Sequence, residues 1–200
     1  MRLNSEEDTL READRTIYFA TSNKEKYAEA ALLATEFGIR LKHLNVAKQE
    51  IQADNLEDIA LFAASHAANS NGVRVVSEDA GFFVNALHGF PGPYSAYVFR
   101  QIGTSGVLKL MRGIDDRKAS FEAAVAHCAP REHPRCFTGV VRGTVTYHAR
   151  GRHGFGFDPI FMPLAGGGRT FAEMTTKEKN LFSHRAKAFT KFCRWFNSIR

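Results

Sequence analysis

Between residues 16 and 78 the hydrophobic period of the sequence switches back and forth, and that alternation restricts the fold more than any other feature. "TIYFAT" (16–21) is short, apolar and partly β-branched, as a strand requires, and "KEKYAEAALLATEFG" after it has a helical period closed by Gly38. "IRLKHLNV" reads as strand again. "NLEDIALFAASHAANSNG" then has Asn55 as N-cap, acids in its first turn and Gly72 at its end, and leads to the strand "VRVVSE". Strand, helix, strand, helix, strand predicts an α/β sheet. After "GFPGPYS" come a short helical stretch to Gly113 and two long β-type runs, "SFEAAVAHCA" and "RCFTGVVRGTVTYH", divided by the turn "PREHP". These predict an antiparallel pair forming a second lobe, with one closing helix from about Lys177. The expected layout is a polar tail over residues 1–14 and a single two-lobed domain over residues 15–200.

Composition narrows the partners. Hydrophobic residues make up 44% of the 200, enough for a sizeable core. The formal charge of +6 is spread without a Lys/Arg block, which suits a small anionic ligand and does not indicate a nucleic-acid surface. Cys128, Cys136 and Cys193 follow no metal or redox spacing, so reduced thiols and a cytoplasmic location are expected. No apolar run reaches the roughly 18 residues of a membrane span.

Ligands of open α/β sheets bind where strands end and loops converge. The first strand leads into "TSNKEK", where Thr21, Ser22 and Asn23 offer donors beside a helix N-terminus. Two readings stand: plain capping by Ser22 or Asn23, or a phosphate site. Lys26 lies at the edge of that helix's apolar sector, as a phosphate-binding or a snorkelling ammonium would, whereas Lys24, Glu25 and Glu29 fall elsewhere on the wheel. In "VVSEDAGFF" the third strand is expected to end in Glu78 and Asp79. Adjacent strand residues face opposite ways, so both acids are expected to share one site only if the strand breaks, with Gly81 as the break. Glu50, in "KQEIQAD", is expected at the same edge, and such hard oxygens suit Mg²⁺, with one carboxylate orienting or deprotonating a water. The alternative is a solvated turn. "GRHGFGFDPIF" (151–161) reads either as aromatic stacking for a nucleobase, with Asp158 on its edge, or as a core loop. In the last helix Thr175 and Glu178 form a capping box, and Leu181, Phe182, Ala186, Phe189, Phe192, Cys193 and Phe196 define an apolar sector. Arg185 projects into the middle of that sector and so needs a partner, in the protein or in a ligand; His184 flanks it.

"TSNKEK", "SEDAG", "GFPGPYSAY", "FGFDPIF" and "EKNLFSHRAKA", in this order over residues 21–188, resemble the inosine triphosphate pyrophosphatase family. The resemblance implies an elongated mixed sheet with helices, two lobes around a central cleft, a homodimer, dependence on Mg²⁺, and hydrolysis of ITP, dITP and XTP to monophosphate and pyrophosphate. By motif, it implies phosphate and substrate contacts from Thr21, Ser22, Asn23, Lys26, Asp79 and Ala80. Metal ligation would fall to Glu50, Glu78 and Asp79, and catalysis to Asp79 and Lys26. A base pocket would be built from Phe155, Gly156, Phe157 and Asp158, with Lys179, His184 and Arg185 completing it. His184 and Arg185 can donate to a 6-oxo acceptor, but while both are protonated they cannot accept from adenine's 6-amino group. Two departures stand out. The second helix has Leu61, Phe62 and Ala63 where family members carry a lysine, and Ala96 and Tyr97 follow the Pro-Gly loop where many have Lys or Arg. Arg100, or a histidine such as His66, is expected to compensate. Rival readings are a nucleotide sensor without turnover, a nucleic-acid-binding domain, and an enzyme for another modified triphosphate.

Overall fold

Seven strands share one mixed sheet in the computed structural model, which describes residues 16–46 and 51–199. Glu50 and the expected tail over residues 1–14 lie outside the described residues. The order is β2-β1-β3-β5-β6-β7: β1 (Thr16–Ala20) is parallel to β2 (Arg40–Leu44) and to β3 (Val75–Val84). The rest is antiparallel, through β5 (Lys118–Cys128), β6 (Arg135–Val145) and β7 (Phe161–Pro163), with the two-residue β4 (Pro91–Gly92) against β3.

The two crossover helices start as the sequence dictates. Asn23 caps α1 (Lys24–Glu36) by accepting from the Lys26 N–H, and Asn55 caps α2 (Leu56–Asn71) by accepting from the Asp58 N–H. Gly72 ends α2 in the left-handed conformation that glycine adopts without a Cβ penalty. On one face of the sheet α1 packs beside α5 (His184–Ser198) over Ile17, Phe19, Val76, Ala123 and Val125. On the other face the buried alanines of α2, Ala60, Ala64, Ala67 and Ala68, allow close approach to Val75, Ala124 and Ala126. A separate core gathers Phe82, Val84, Phe121, Val141, Phe161 and Phe171 with Val107 and Met111 of the α3 segment (α3, Ser95–Leu110, kinked at Gly103). Each fully buried aromatic or aliphatic side chain contributes roughly 1.5–3 kcal/mol.

Three expectations change. The third strand does not stop at Glu78: it runs on through Gly81 to Val84, because "GFFV" continues the alternation and Phe82 and Val84 feed the second core. The β5–β6 pair is not a lobe of its own. Its strands run through both cores, Ala123 and Val125 lying in the first and Ala119 and Phe121 in the second. The closing helix is two helices, α4 (Thr176–Asn180), with the expected Thr175/Glu178 capping box, and α5, started afresh by Ser183 accepting from the Ala186 N–H. Leu181 in the break is 81% exposed, and so leaves the apolar sector assigned to it.

Candidate active site

A cleft of about 340 Å³ opens along β3 between the two cores. There the strand has an uncovered edge: among the described residues β1 pairs with it only as far as Ser77, and β4 only from Phe82. Glu78 lies on the face of α1 and α5, Asp79 on the face of α2, yet both line the cleft because side chains from either face reach round an uncovered edge. No break is needed. Gly81 is required for another reason: a Cβ there would lie 2.6 Å from the Gly92 carbonyl oxygen.

Thr21, Ser22, Asn23 and Lys26 line the cleft from the β1–α1 turn, which is shaped by the Asn23 N–H donating to Thr21 Oγ1 at 3.1 Å. Capping is therefore carried out by Asn23, whose Oδ1 is used while its amide NH₂ keeps two donors. Ala80, Phe155, Gly156, Phe157, Asp158, Lys179, His184 and Arg185 complete the wall, together with Ala96 and Arg100 from α3. His66 stacks on Phe62 along α2, outside this lining. A neighbouring cavity of about 460 Å³ shares Asp79, Ala96 and Arg100, so Asp79 is approached from two sides.

Behind the wall runs a chain of charge. Asp158 Oδ2 accepts from Lys179 Nζ at 2.7 Å and from the Phe155 N–H at 2.9 Å, and Lys179 also donates to Glu29 at 2.9 Å. Arg185 bonds Glu29 through one terminal nitrogen and holds Glu78 through Nε and the other, each at 3.0 Å; Lys26 stands 3.7 Å from Glu78. Glu29 is the hub, and the wheel placed it wrongly: it is 5% exposed. The signal was its spacing, three residues after Lys26 and four before the buried Leu33, which makes it a neighbour of both on a helix.

Each group's ionisation follows from these contacts. Burial pushes the Glu29 carboxyl up, but Arg185 and Lys179 more than offset it and hold the pKa below the usual value. Burial raises the Asp158 carboxyl, with Lys179 pulling the other way. For Arg185 burial disfavours the charge, and Glu78 and Glu29 outweigh it. His184 is different. Burial, then the positive charges of Arg185, Lys179, Lys26 and Lys187, drive its pKa well below 6.5. Burial and the surrounding cations thus favour the neutral imidazole, which stacks on Phe121 at 4.8 Å with Nδ1 buried and without a hydrogen-bond partner among the described residues.

Comparison with known proteins follows the same outline. The model of the Ham1 family matches residues 17–195. A dITP/XTP pyrophosphatase of Methanopyrus kandleri is 46% identical over 182 residues, covering 91% of this chain and 96% of that protein. The one from Methanothermobacter marburgensis is 47% identical over 180 residues, covering 90% and 95%. Among solved structures, the Ham1 protein of Staphylococcus aureus superposes with a TM-score of 0.79 at 24% identity, over 92% of this chain and 100% of that one. The nucleoside-triphosphatase, dITP/XTP pyrophosphatase, of Mycobacterium abscessus gives 0.69 at 31% identity, over 88% and 98%.

Proposed function

Because the chain belongs to the Ham1 family, we propose that it hydrolyses non-standard purine nucleoside triphosphates, ITP, dITP and XTP, to the monophosphate and pyrophosphate. The observation that carries this is one cleft holding a donor-rich helix start, a pair of carboxylates, and a braced set of cations beside aromatic rings. Relatives at 46–47% identity bear the name dITP/XTP pyrophosphatase.

In the reaction a water oxygen bonds to the α-phosphorus, the bond from that phosphorus to the oxygen bridging to the β-phosphate breaks, and pyrophosphate leaves. Asp79 takes the proton from the water, and it lines two neighbouring cavities, the cleft and the one beside it. Lys26 and the N–H groups at the start of α1 offset charge on the phosphates. Glu78 and Asp79, on the cleft lining, would supply hard carboxylate oxygens to Mg²⁺, an ion commonly held by one or two carboxylates with waters and substrate phosphates; Glu78 would share its oxygens with Arg185. Glu50 would join them. When bound, the ion screens phosphate charge and lowers the pKa of a coordinated water.

Base choice falls to His184 and Arg185. Arg185 spends three of its five N–H donors on Glu29 and Glu78, leaving two for a ligand. A neutral His184 keeps one donor and one acceptor nitrogen, so the discrimination would rest on Arg185, whose N–H groups can donate to a 6-oxo group but confront adenine's 6-amino group with a second donor, an unpaired contact that lowers affinity. Arg100, on the cleft wall, stands in for the lysine absent from α2 and for the Lys or Arg absent after the Pro-Gly loop. A cytoplasmic homodimer is proposed too. Reduced Cys128, Cys136 and Cys193 support the compartment. The exposed Phe90, Tyr94, Tyr97 and Ile102 around the Pro-Gly loop and α3 support the dimer.

The test is pyrophosphate release with Mg²⁺ from ITP, XTP, dITP, ATP and GTP, alongside Asp79→Asn. Turnover of the first three, little of the last two, and a loss of at least about 100-fold in the variant are expected. Nucleotide binding without turnover in the unaltered protein would replace this reading by that of a sensor.

A further inference from the structure

His43 lies next to the end of β2, an element that contributes nothing to the cleft lining, yet its Nε2 lies 2.6 Å from the Thr21 carbonyl oxygen. A carbonyl only accepts, so Nε2 carries the hydrogen and donates. The ring is braced: it packs against Tyr27 of α1 with centroids 4.9 Å apart and the planes tilted by 35°, and the Tyr27 hydroxyl donates to the Leu41 carbonyl at 3.1 Å. The register explains the reach, since His43 sits opposite Phe19 and Thr21 lies two residues further along.

We propose that His43 is a positioning residue for polyphosphate binding, fixing the peptide between Thr21 and Ser22 so that the Ser22 N–H faces the cleft. A trans peptide is planar, with its C=O and N–H pointing opposite ways. When His43 draws the Thr21 carbonyl toward β2, the Ser22 N–H is turned away from β2, to the side on which Thr21 and Ser22 line the cleft. Thr21 Oγ1 already holds the next N–H, that of Asn23, so the Ser22 N–H is the donor left for a phosphate oxygen at the mouth of α1. This inference rests on the proposed triphosphate substrate only for its kinetic arm.

The experiment compares His43→Phe, which keeps a ring against Tyr27 but cannot donate, with His43→Gln, whose amide NH₂ can, and with Tyr27→Phe as a packing control. Calorimetric binding of inorganic tripolyphosphate reads the phosphate site without base or turnover, and steady-state hydrolysis of ITP gives KM and kcat. His43→Phe is expected to weaken tripolyphosphate binding and raise KM by about 10-fold each, the worth of one charge-assisted hydrogen bond. Its kcat should stay within about two-fold, and His43→Gln should recover most of the loss. Unchanged tripolyphosphate affinity in a folded His43→Phe, no recovery in the Gln variant, or an equal loss in Tyr27→Phe overturns the role. If the unaltered protein hydrolyses no ITP, the substrate reading fails, while the tripolyphosphate comparison still decides on His43.

Discussion

Residues such as Glu29 and His127 matter through what surrounds them. Glu29 sits on a helix that looks amphipathic in the ordinary way, and only the folded chain brings Lys179 and Arg185 against it from about 150 residues away. Charge pairing over such a separation leaves no mark on a helical wheel. Arg185 is the counter-example: its place among apolar neighbours required a partner, and two carboxylates provide one. His127, on β5, stacks on Phe192 with Nε2 buried and without a hydrogen-bond partner among the described residues. Burial, then the charge of Arg74, lowers its pKa from 6.5 to about 4. A histidine whose pKa is depressed on folding contributes stability that is complete above about pH 6.5 and is lost as pH falls toward 4. His127→Phe should therefore gain stability over the unaltered protein by about 2–3 kcal/mol between pH 8 and pH 4.5, read as the change in their difference by urea unfolding at the two pH values. A constant difference would show that the residue does not titrate in this range.

Elements were the most legible level where caps and periods agreed. Asn55, Gly72 and the Thr175/Glu178 box mark real helix ends, and the strands of the first half lie where the alternation puts them. What the sequence hid were features decided by contact between elements. β3 runs on past the acid pair because its continuation is buried by a second core, and the break before α5 depends on Ser183, which a continuous apolar period passes over. That break sets the first turn of α5, with His184 and Arg185, hard against β6. A Cβ on Gly139 would overlap the His184 carbonyl oxygen and come within 2.7 Å of the Ala188 nitrogen. Gly139→Ala should push this turn outward, costing about 1–3 kcal/mol in unfolding free energy and lowering ITP turnover at least several-fold. If activity and stability are both retained, the packing of α5 on β6 is not what places His184 and Arg185.

At the scale of the molecule the sheet is shared. β3 and β5 carry side chains into both cores, so the two sides of the cleft are tied by continuous backbone and not by a linker. The α/β class was readable from the sequence, the division of β5 and β6 between cores was not, because each strand's alternation is the same whichever core receives it. The site was legible as motifs, with the hub Glu29 missing. Phe90, Tyr94, Tyr97 and Ile102 are 42%, 44%, 58% and 40% exposed, and the proposed homodimer would bury them against a second copy. Sedimentation equilibrium should give twice the chain mass, and Tyr97→Glu should shift it toward one; a monomer at all concentrations sinks the dimer.

The ion chain from Asp158 to Glu78 joins segments drawn from nearly the whole length of the polypeptide, and its cations at 179 and 185 come last. During synthesis the acids at 29 and 78 leave the ribosome long before the basic residues that neutralise them. Until residues 179 and 185 emerge, α1, α2 and α3 can be made but Glu29 lacks both of the cations that hold it in the folded protein, so the wall of the cleft closes only after that stretch has been synthesised.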